Sequence, residues 1–134
     1  MMTLKSFPAL NDPQVCVEVT AMSDRYEKAL SENILHELDA FFYEGAETVR
    51  YGVGENLYGF EEIQAFRRAR AGGSPPREVL RRVITAVGQD VATVDLEFRR
   101  IGAEKIGRQS QTWFRTPDGW KIIAAHVSLM GTGS

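Results

Sequence analysis

The stretch that decides the fold is GRQSQTWFRTPDGWKIIAAHVSLM, residues 107–130. Two runs rich in β-branched and aromatic residues, Arg108 to Arg115 and Trp120 to Leu129, flank Thr116-Pro117-Asp118-Gly119. An Asp-Gly step between alternating runs predicts antiparallel strands joined by a tight turn. With uninterrupted alternation, Trp120, Ile122, Ala124, His126 and Ser128 share one face of the second strand. Ile123, Ala125, Val127 and Leu129 then form a wholly apolar opposite face. Pairing across the turn is expected to place Gln109, Gln111 and Trp113 on the side of His126 and Ser128. One face reads as packing, the other as the wall of a small polar pocket.

Working outward, the segments before this hairpin are strands too, Arg77 to Val87 and Val91 to Arg100, with Gly88-Gln89-Asp90 and residues 101–107 as connections. The first half of the chain is different. Asn11-Asp12-Pro13 reads as a helix start, an acidic cap followed by proline at the first helical position. Val15, Val19, Met22, Tyr26 and Leu30 recur at helical steps to about Ser31, which puts Tyr26 on the buried stripe. Ile34, Leu35, Leu38, Phe41 and Phe42 predict a second helix ending near Gly45. Thr48 to Gly52 and Asn56-Leu57-Tyr58 read as short strands around Gly54. Phe60, Ile63 and Phe66 space a third helix, which Gly72-Gly73-Ser74-Pro75-Pro76 ends. Helices first and long strands last predict an α+β fold, three helices covering one face of a strongly curved antiparallel sheet around a central pocket. Residues 1–10 read as a loose leader and 11–134 as one domain.

The composition narrows the function classes. At 134 residues and 15.0 kDa the chain is one domain, long enough to bury roughly 68% of its unfolded surface without a disulfide or metal. Its net charge of -2 argues against nucleic acid or an anionic membrane as partner. No apolar run suggests a transmembrane helix and no secretory signal is visible, so a cytoplasmic location is expected. The single cysteine, Cys16, excludes an internal disulfide and fits a reducing compartment. His36 and His126 have no neighbouring ligand cluster, so neither a metal site nor a cofactor is expected. The apolar set on the last strand, with Thr112 and Phe114 beside it, predicts a homodimer formed through the outer face of the sheet.

The order of elements and particular residues resemble the SnoaL-like branch of the nuclear-transport-factor-like superfamily, with a cystatin-like fold, and within it the AtzH-like group. The carriers of the resemblance are Thr48-Val49-Arg50-Tyr51-Gly52, Glu55-Asn56-Leu57-Tyr58-Gly59, residues 107–113, and Gly119-Trp120 followed by residues 124–128. The superfamily hosts isomerases, hydrolases, dehydratases and non-catalytic domains, so the likeness specifies fold better than activity. What is known of the AtzH-like group implies a decarboxylating amidohydrolase acting on small carboxylated ureas. It also implies an essential tyrosine on the first helix and an essential arginine on the first short strand, places that Tyr26 and Arg50 occupy. Ketosteroid isomerases carry a catalytic carboxylate in that strand. Arg50-Tyr51 stands there instead, which reverses the charge of the pocket and argues against enolisation of a steroid.

Each candidate has two readings. Arg50 points into the pocket or is a solvated edge charge; inward, its planar fork fits a carboxylate in two places and binds an anion without taking a proton. Tyr26 is a core tyrosine, or it polarises or attacks a substrate carbonyl. His126 is a satisfied structural group or a ligand contact. Gln109, Gln111, Trp113 and Ser128 would line the same wall, the amides and hydroxyl suiting both the carbonyl and the N–H groups of a urea. Ser128 and His126 are separated by roughly 7 Å along one strand face, too far for nucleophile activation. Glu55 and Asn56, with Tyr58, close the pocket mouth or decorate a turn. Arg67, Arg68, Arg70, Arg81 and Arg82 read as solvated basic faces. The expected ligand is a small anionic molecule.

Overall fold

The structure, a computed structural model, describes residues 7–131. Of the segment expected to be a loose leader, residues 1–6 lie outside the described residues. Leu10 bridges Val87, and Asn11 takes a left-handed conformation in which its side chain accepts from the Ala86 amide at 2.9 Å. The chain is therefore pinned to the sheet just before its first helix.

Helix α1 spans Pro13–Glu32. Asp12 caps it, Oδ1 accepting from the amides of Gln14 and Val15 at 3.0 and 3.2 Å, and the proline at N1 has no amide to leave unpaired. Its inward stripe is Val15, Val19, Ser23, Tyr26 and Ala29. Helix α2 is only Leu35–Ala40, shorter than the apolar spacing predicts. The cause lies in the hairpin: Ile122 donates its amide to Phe41 at 2.7 Å and accepts from Tyr43 at 3.0 Å, drawing the chain out of the helix onto the sheet edge. Short strands β1 (Val49–Tyr51) and β2 (Asn56–Tyr58) follow, then helix α3 (Phe60–Ala69). The long strands β3 (Arg77–Val87), β4 (Val91–Arg100), β5 (Ile106–Thr116) and β6 (Gly119–Leu129) lie where the alternation predicts them, within one or two residues.

The six strands form one curved open sheet in the order β2-β1-β6-β5-β4-β3, with the helices on its concave side. The fold is α+β. All pairings are antiparallel except β1 with β6, which is parallel and brings Arg50 beside Ala125. The core between α1 and the sheet includes Val15, Val19, Phe42, Val94, Trp113 and Ile122.

The faces of the hairpin depart from the expectation at two places. A two-residue turn pairs Thr116 with Gly119 and Trp113 with Ile122, odd with even; Thr112 then pairs with Ala124, so Ile123 is an extra residue on β6. This β-bulge coincides with the handover of β6 from the residue 41–43 segment to β1, and it reverses the alternation of everything after it. Gln109 and Gln111 consequently share their side with Val127 and Ala125, facing the core, while His126 and Ser128 face outward opposite Ser110 and Arg108. Of the set expected to form an apolar dimer surface, Ala125 and Val127 are thus on the concave side and buried, while Thr112 and Phe114 stay on the outer face. The outer face at this end carries Tyr51, Tyr58 and His126 instead.

Candidate functional site

A cavity of about 210 Å³ opens between the concave face of the sheet and the three helices. Its apolar lining includes Leu30, Leu38, Ile63, Phe66, Phe98 and Val127. Its charged lining is uneven: Arg50, Arg67, Arg70, Arg77 and Arg100 against Glu55.

Tyr26 reaches this space from the buried stripe of α1. Its ring packs edge-on to Phe41 and Phe42 at 5.5 and 6.3 Å between centroids, and its hydroxyl forms no hydrogen bond with any described residue. Packing on two aromatic edges fixes the ring while leaving the hydroxyl for a ligand. Arg50, central in β1, points inward because its neighbours Val49 and Tyr51 take the other side. Its side chain is 14% exposed, pairs with Glu55 at 3.2 Å and places its guanidinium carbon 5.7 Å from the centre of the Phe66 ring.

The other arginines differ in how fully they are engaged. Arg67 donates to Asp39 at 2.8 Å, and Gln64 donates to the second oxygen of that carboxylate at 3.0 Å. Arg77 is held by Glu27, with contacts of 2.7 and 2.9 Å from Nη2 and 3.2 Å from Nε, and stacks 4.4 Å from the centre of Phe98. Arg70 and Arg100 have no ion-pair partner among the described residues. Burial, and then the positive charges of Arg50 and Arg100, hold the Arg70 guanidinium below its ordinary value. Cations this crowded favour an anion between them.

At the rim, Asn33 ends α1 in the left-handed conformation and accepts from the Ser74 amide at 2.9 Å, tying the loop after α3 to α1. Gly73 at φ +69° lies against that Asn33 amide, where a Cβ would collide.

Two glutamines on the concave face of β5, of which Gln109 lines the cavity, carry polar atoms without partners. Gln109 Oε1 accepts from Arg77 at 3.1 Å and, one pleat along, Gln111 Oε1 accepts from Trp113 Nε1 at 3.1 Å. The Nε2 atoms of both are buried and unpaired. Each unmet donor costs about 1–3 kcal/mol, a strain that a bound acceptor would relieve.

Of the residues singled out from sequence, Tyr26, Arg50 and Gln109 come together around the cavity. Gln111 and Trp113 are buried on the same concave face, with Trp113 set against Phe41 at 6.0 Å. His126, Ser128, Asn56 and Tyr58, expected at the pocket, do not line this cavity. The bulge turns His126 and Ser128 outward. In the β1–β2 pairing Asn56 lies opposite Tyr51 and Tyr58 opposite Val49, so only Leu57 of β2 faces in. On the convex side the Tyr51 and Tyr58 hydroxyls are 3.2 Å apart, a bond that raises the Tyr58 phenol, and His126 stands edge-on to Tyr51.

Arg67 and Arg70 were expected on a solvated face, as Arg68 is. They line the cavity because Ile63, Phe66, Arg67 and Arg70 recur at three- and four-residue steps, forming the inward stripe of α3 and its C-cap. That spacing was available in the sequence. Arg77 and Arg100 pair directly at the open end of β3 and β4, a contact that only the register shows. Among the described residues no three His, Cys, Asp or Glu side chains group closely enough to hold a metal ion, and no helix is long and apolar enough to cross a membrane.

The fold and sequence both have relatives. A protein of unknown function from Pectobacterium atrosepticum, of the DUF3225 family, is 50% identical over 98% of this chain and 100% of its own, with a TM-score of 0.87. A cystatin-like fold protein from Burkholderia xenovorans is 43% identical over 94% of this chain and 99% of its own, TM-score 0.88. A nuclear transport factor 2-like superfamily protein from Salmonella enterica, 22% identical over 90% of this chain and 94% of its own, shares the fold at TM-score 0.73. A comparison with curated proteins finds no match. The AtzH-like family model matches residues 8–133, nearly the whole chain. With the cystatin-like architecture, the inward arginine of β1 and this end-to-end match together, the chain belongs to the AtzH-like family.

Proposed function

We propose that this chain is a cofactor-independent enzyme that hydrolyses a small carboxylated amide or urea, with or without decarboxylation. Arg50 holds the substrate carboxylate through its guanidinium fork. Tyr26 donates its hydroxyl to the scissile carbonyl, where negative charge develops as the carbon becomes tetrahedral. Water supplies the elements added across the C–N bond, so the products are a carboxylate or carbamate and an amine.

The observation that carries this reading is the convergence of Tyr26, with a free hydroxyl, and Arg50 on one cavity whose lining holds five arginines and one glutamate. A cavity of about 210 Å³ suits a ligand of a few heavy atoms rather than a steroid or a nucleotide. A turnover screen of carboxylated ureas and amides with wild type, Tyr26→Phe and Arg50→Ala tests it. Turnover in wild type is expected to fall at least a hundredfold in each variant; equal rates in all three proteins would sink the mechanism.

A second reading is a non-catalytic domain that binds a small carboxylate in the same cavity. It is favoured by the state of the nearby carboxylates: Glu55, Asp39 and Glu27 are each ion-paired to an arginine, leaving none of the three free as a general base. The two readings separate at Tyr26→Phe, which abolishes turnover but spares binding only if the protein is an enzyme.

A further inference from the structure

The two ends of the Gln109 amide are in different circumstances. Oε1 accepts from Arg77 Nη2 at 3.1 Å, whereas Nε2 is buried and unpaired. A guanidinium has five donors and no acceptor, so turning the amide over would set N–H against N–H. Arg77 is itself immobilised, by both oxygens of Glu27 and by the ring of Phe98. The polarity of the amide is therefore fixed through three residues, and the end left without a partner is the donor.

We infer that Gln109 is a specificity-determining residue of the cavity, held by the Glu27–Arg77 pair so that it accepts only ligands with a hydrogen-bond acceptor, a carbonyl oxygen, at that point. The inference rests on the reading of the cavity as a small-carboxylate site and adds what the rest of the ligand must present. Gln111 repeats the pattern on the same strand face, with its oxygen taken by Trp113 and its nitrogen unpaired. Gln111 lies deeper than the cavity lining, so Gln109 alone brings this polarity to the cavity. A site whose buried donor must be met discriminates more strongly than an apolar wall, because a ligand lacking the acceptor leaves that donor unpaired. Arg77 acts through Gln109 as a positioning residue.

The test uses two monocarboxylates of matched length and shape, N-carbamoylglycine and its all-carbon isostere 4-methylpentanoate, titrated calorimetrically into the full chain. Wild type is expected to bind N-carbamoylglycine about tenfold or more tighter than the isostere. Gln109→Leu erases the preference while 4-methylpentanoate still binds in an Arg50-dependent way. Gln109→Glu, which keeps the shape and the contact with Arg77 but loses the donor, also erases it and serves if the leucine variant does not fold. Arg77→Met reduces the ratio of the two affinities, whereas a merely structural role would lower both together. The assignment is overturned if wild type prefers the isostere, or if the ratio in Gln109→Glu equals that of wild type while both probes still need Arg50. Absence of binding by either probe to wild type overturns the carboxylate site as well.

Discussion

Arg50 Nη1 lies 3.2 Å from Glu55 Oε1 across the tight turn that joins β1 to β2. The turn is closed by the Gly52 amide donating to the Glu55 carbonyl at 2.8 Å, and the Glu55 carboxylate occupies the space where a Cβ on residue 52 would stand. The cation best placed to hold an anionic ligand is thus already in contact with a carboxylate of its own chain. With the two side chains 14% and 26% exposed, the pair is partly screened and worth about 1 kcal/mol or less.

Glu55 is therefore an internal competitor. Glu55→Gln is expected to raise the affinity for N-carbamoylglycine roughly threefold to fivefold, the release of about 1 kcal/mol of competing attraction. Calorimetric titration decides it. Unchanged or weaker binding would show that ligand and Glu55 do not share Arg50.

Asp39 is buried and carries the fixed part of the charge network, accepting from Arg67 and Gln64. Asp39→Ala strands the Arg67 cation against Phe42 and should cost about 3–5 kcal/mol in urea unfolding. The double variant Asp39→Leu/Arg67→Met should recover most of that loss, since desolvation of both charges disappears with the pair. A single variant as stable as wild type would mean that water reaches Arg67.

Gly107 has no side chain because the ring of Phe98, directly opposite on β4, lies over it. Gly107→Ala drives a methyl group into that ring, with an expected cost of about 1–3 kcal/mol. The displaced ring is the one on which Arg77 stacks, so the 4-methylpentanoate discrimination should weaken in parallel. Adding Phe98→Leu is expected to restore stability but not discrimination. Urea unfolding and titration on the same preparations separate the two effects.

Glu18 is held below the ordinary glutamate value of 4.5 by hydrogen bonds from Trp120 first, then from Arg115 and Gln14. A carboxylate with a depressed folded value contributes stability that is complete above its unfolded value and disappears as pH falls through the folded one. Glu18→Gln should therefore be less stable than wild type near neutrality, with the difference shrinking below pH 4.5 and vanishing in strong acid. Asp12, lowered chiefly by the Val15 amide, has the same sign. Thermal unfolding across pH gives the comparison; a difference that persists in strong acid would assign the loss to packing instead.

Much of the fold could be read from local patterns. Asp12-Pro13 marks the start of α1, the alternation in residues 77–87 and 91–100 marks β3 and β4, helical periodicity puts Tyr26 on the buried stripe, and the β-rich run 48–52 puts Arg50 on a short strand without fixing which way it points. What escaped was set by contacts distant in sequence. Helix α2 stops early because Ile122 claims the backbone of Phe41 and Tyr43, about eighty residues on. Nothing in Ile122-Ile123-Ala124 marks which residue is the extra one, since all three suit either face. Arg67 and Arg70 had the right spacing, but their charge suggested water; Arg67 is inside because its ion pair with Asp39 offsets the cost of burial.

The bulge at Ile123 also bears on how this architecture changes its chemistry. Beyond that residue the sheet turns Ala125 and Val127 to its concave side, where Val127 lines the cavity, and turns His126 and Ser128 away. Closing the bulge, with Ile123 taken into the ladder opposite Thr112, would exchange the two sets, bringing an imidazole and a hydroxyl to the interior without altering any side chain. The distance between an arginine-dominated binding wall and one with a proton-transfer group is then one step of strand register, a shorter route to new reactivity than substitution residue by residue.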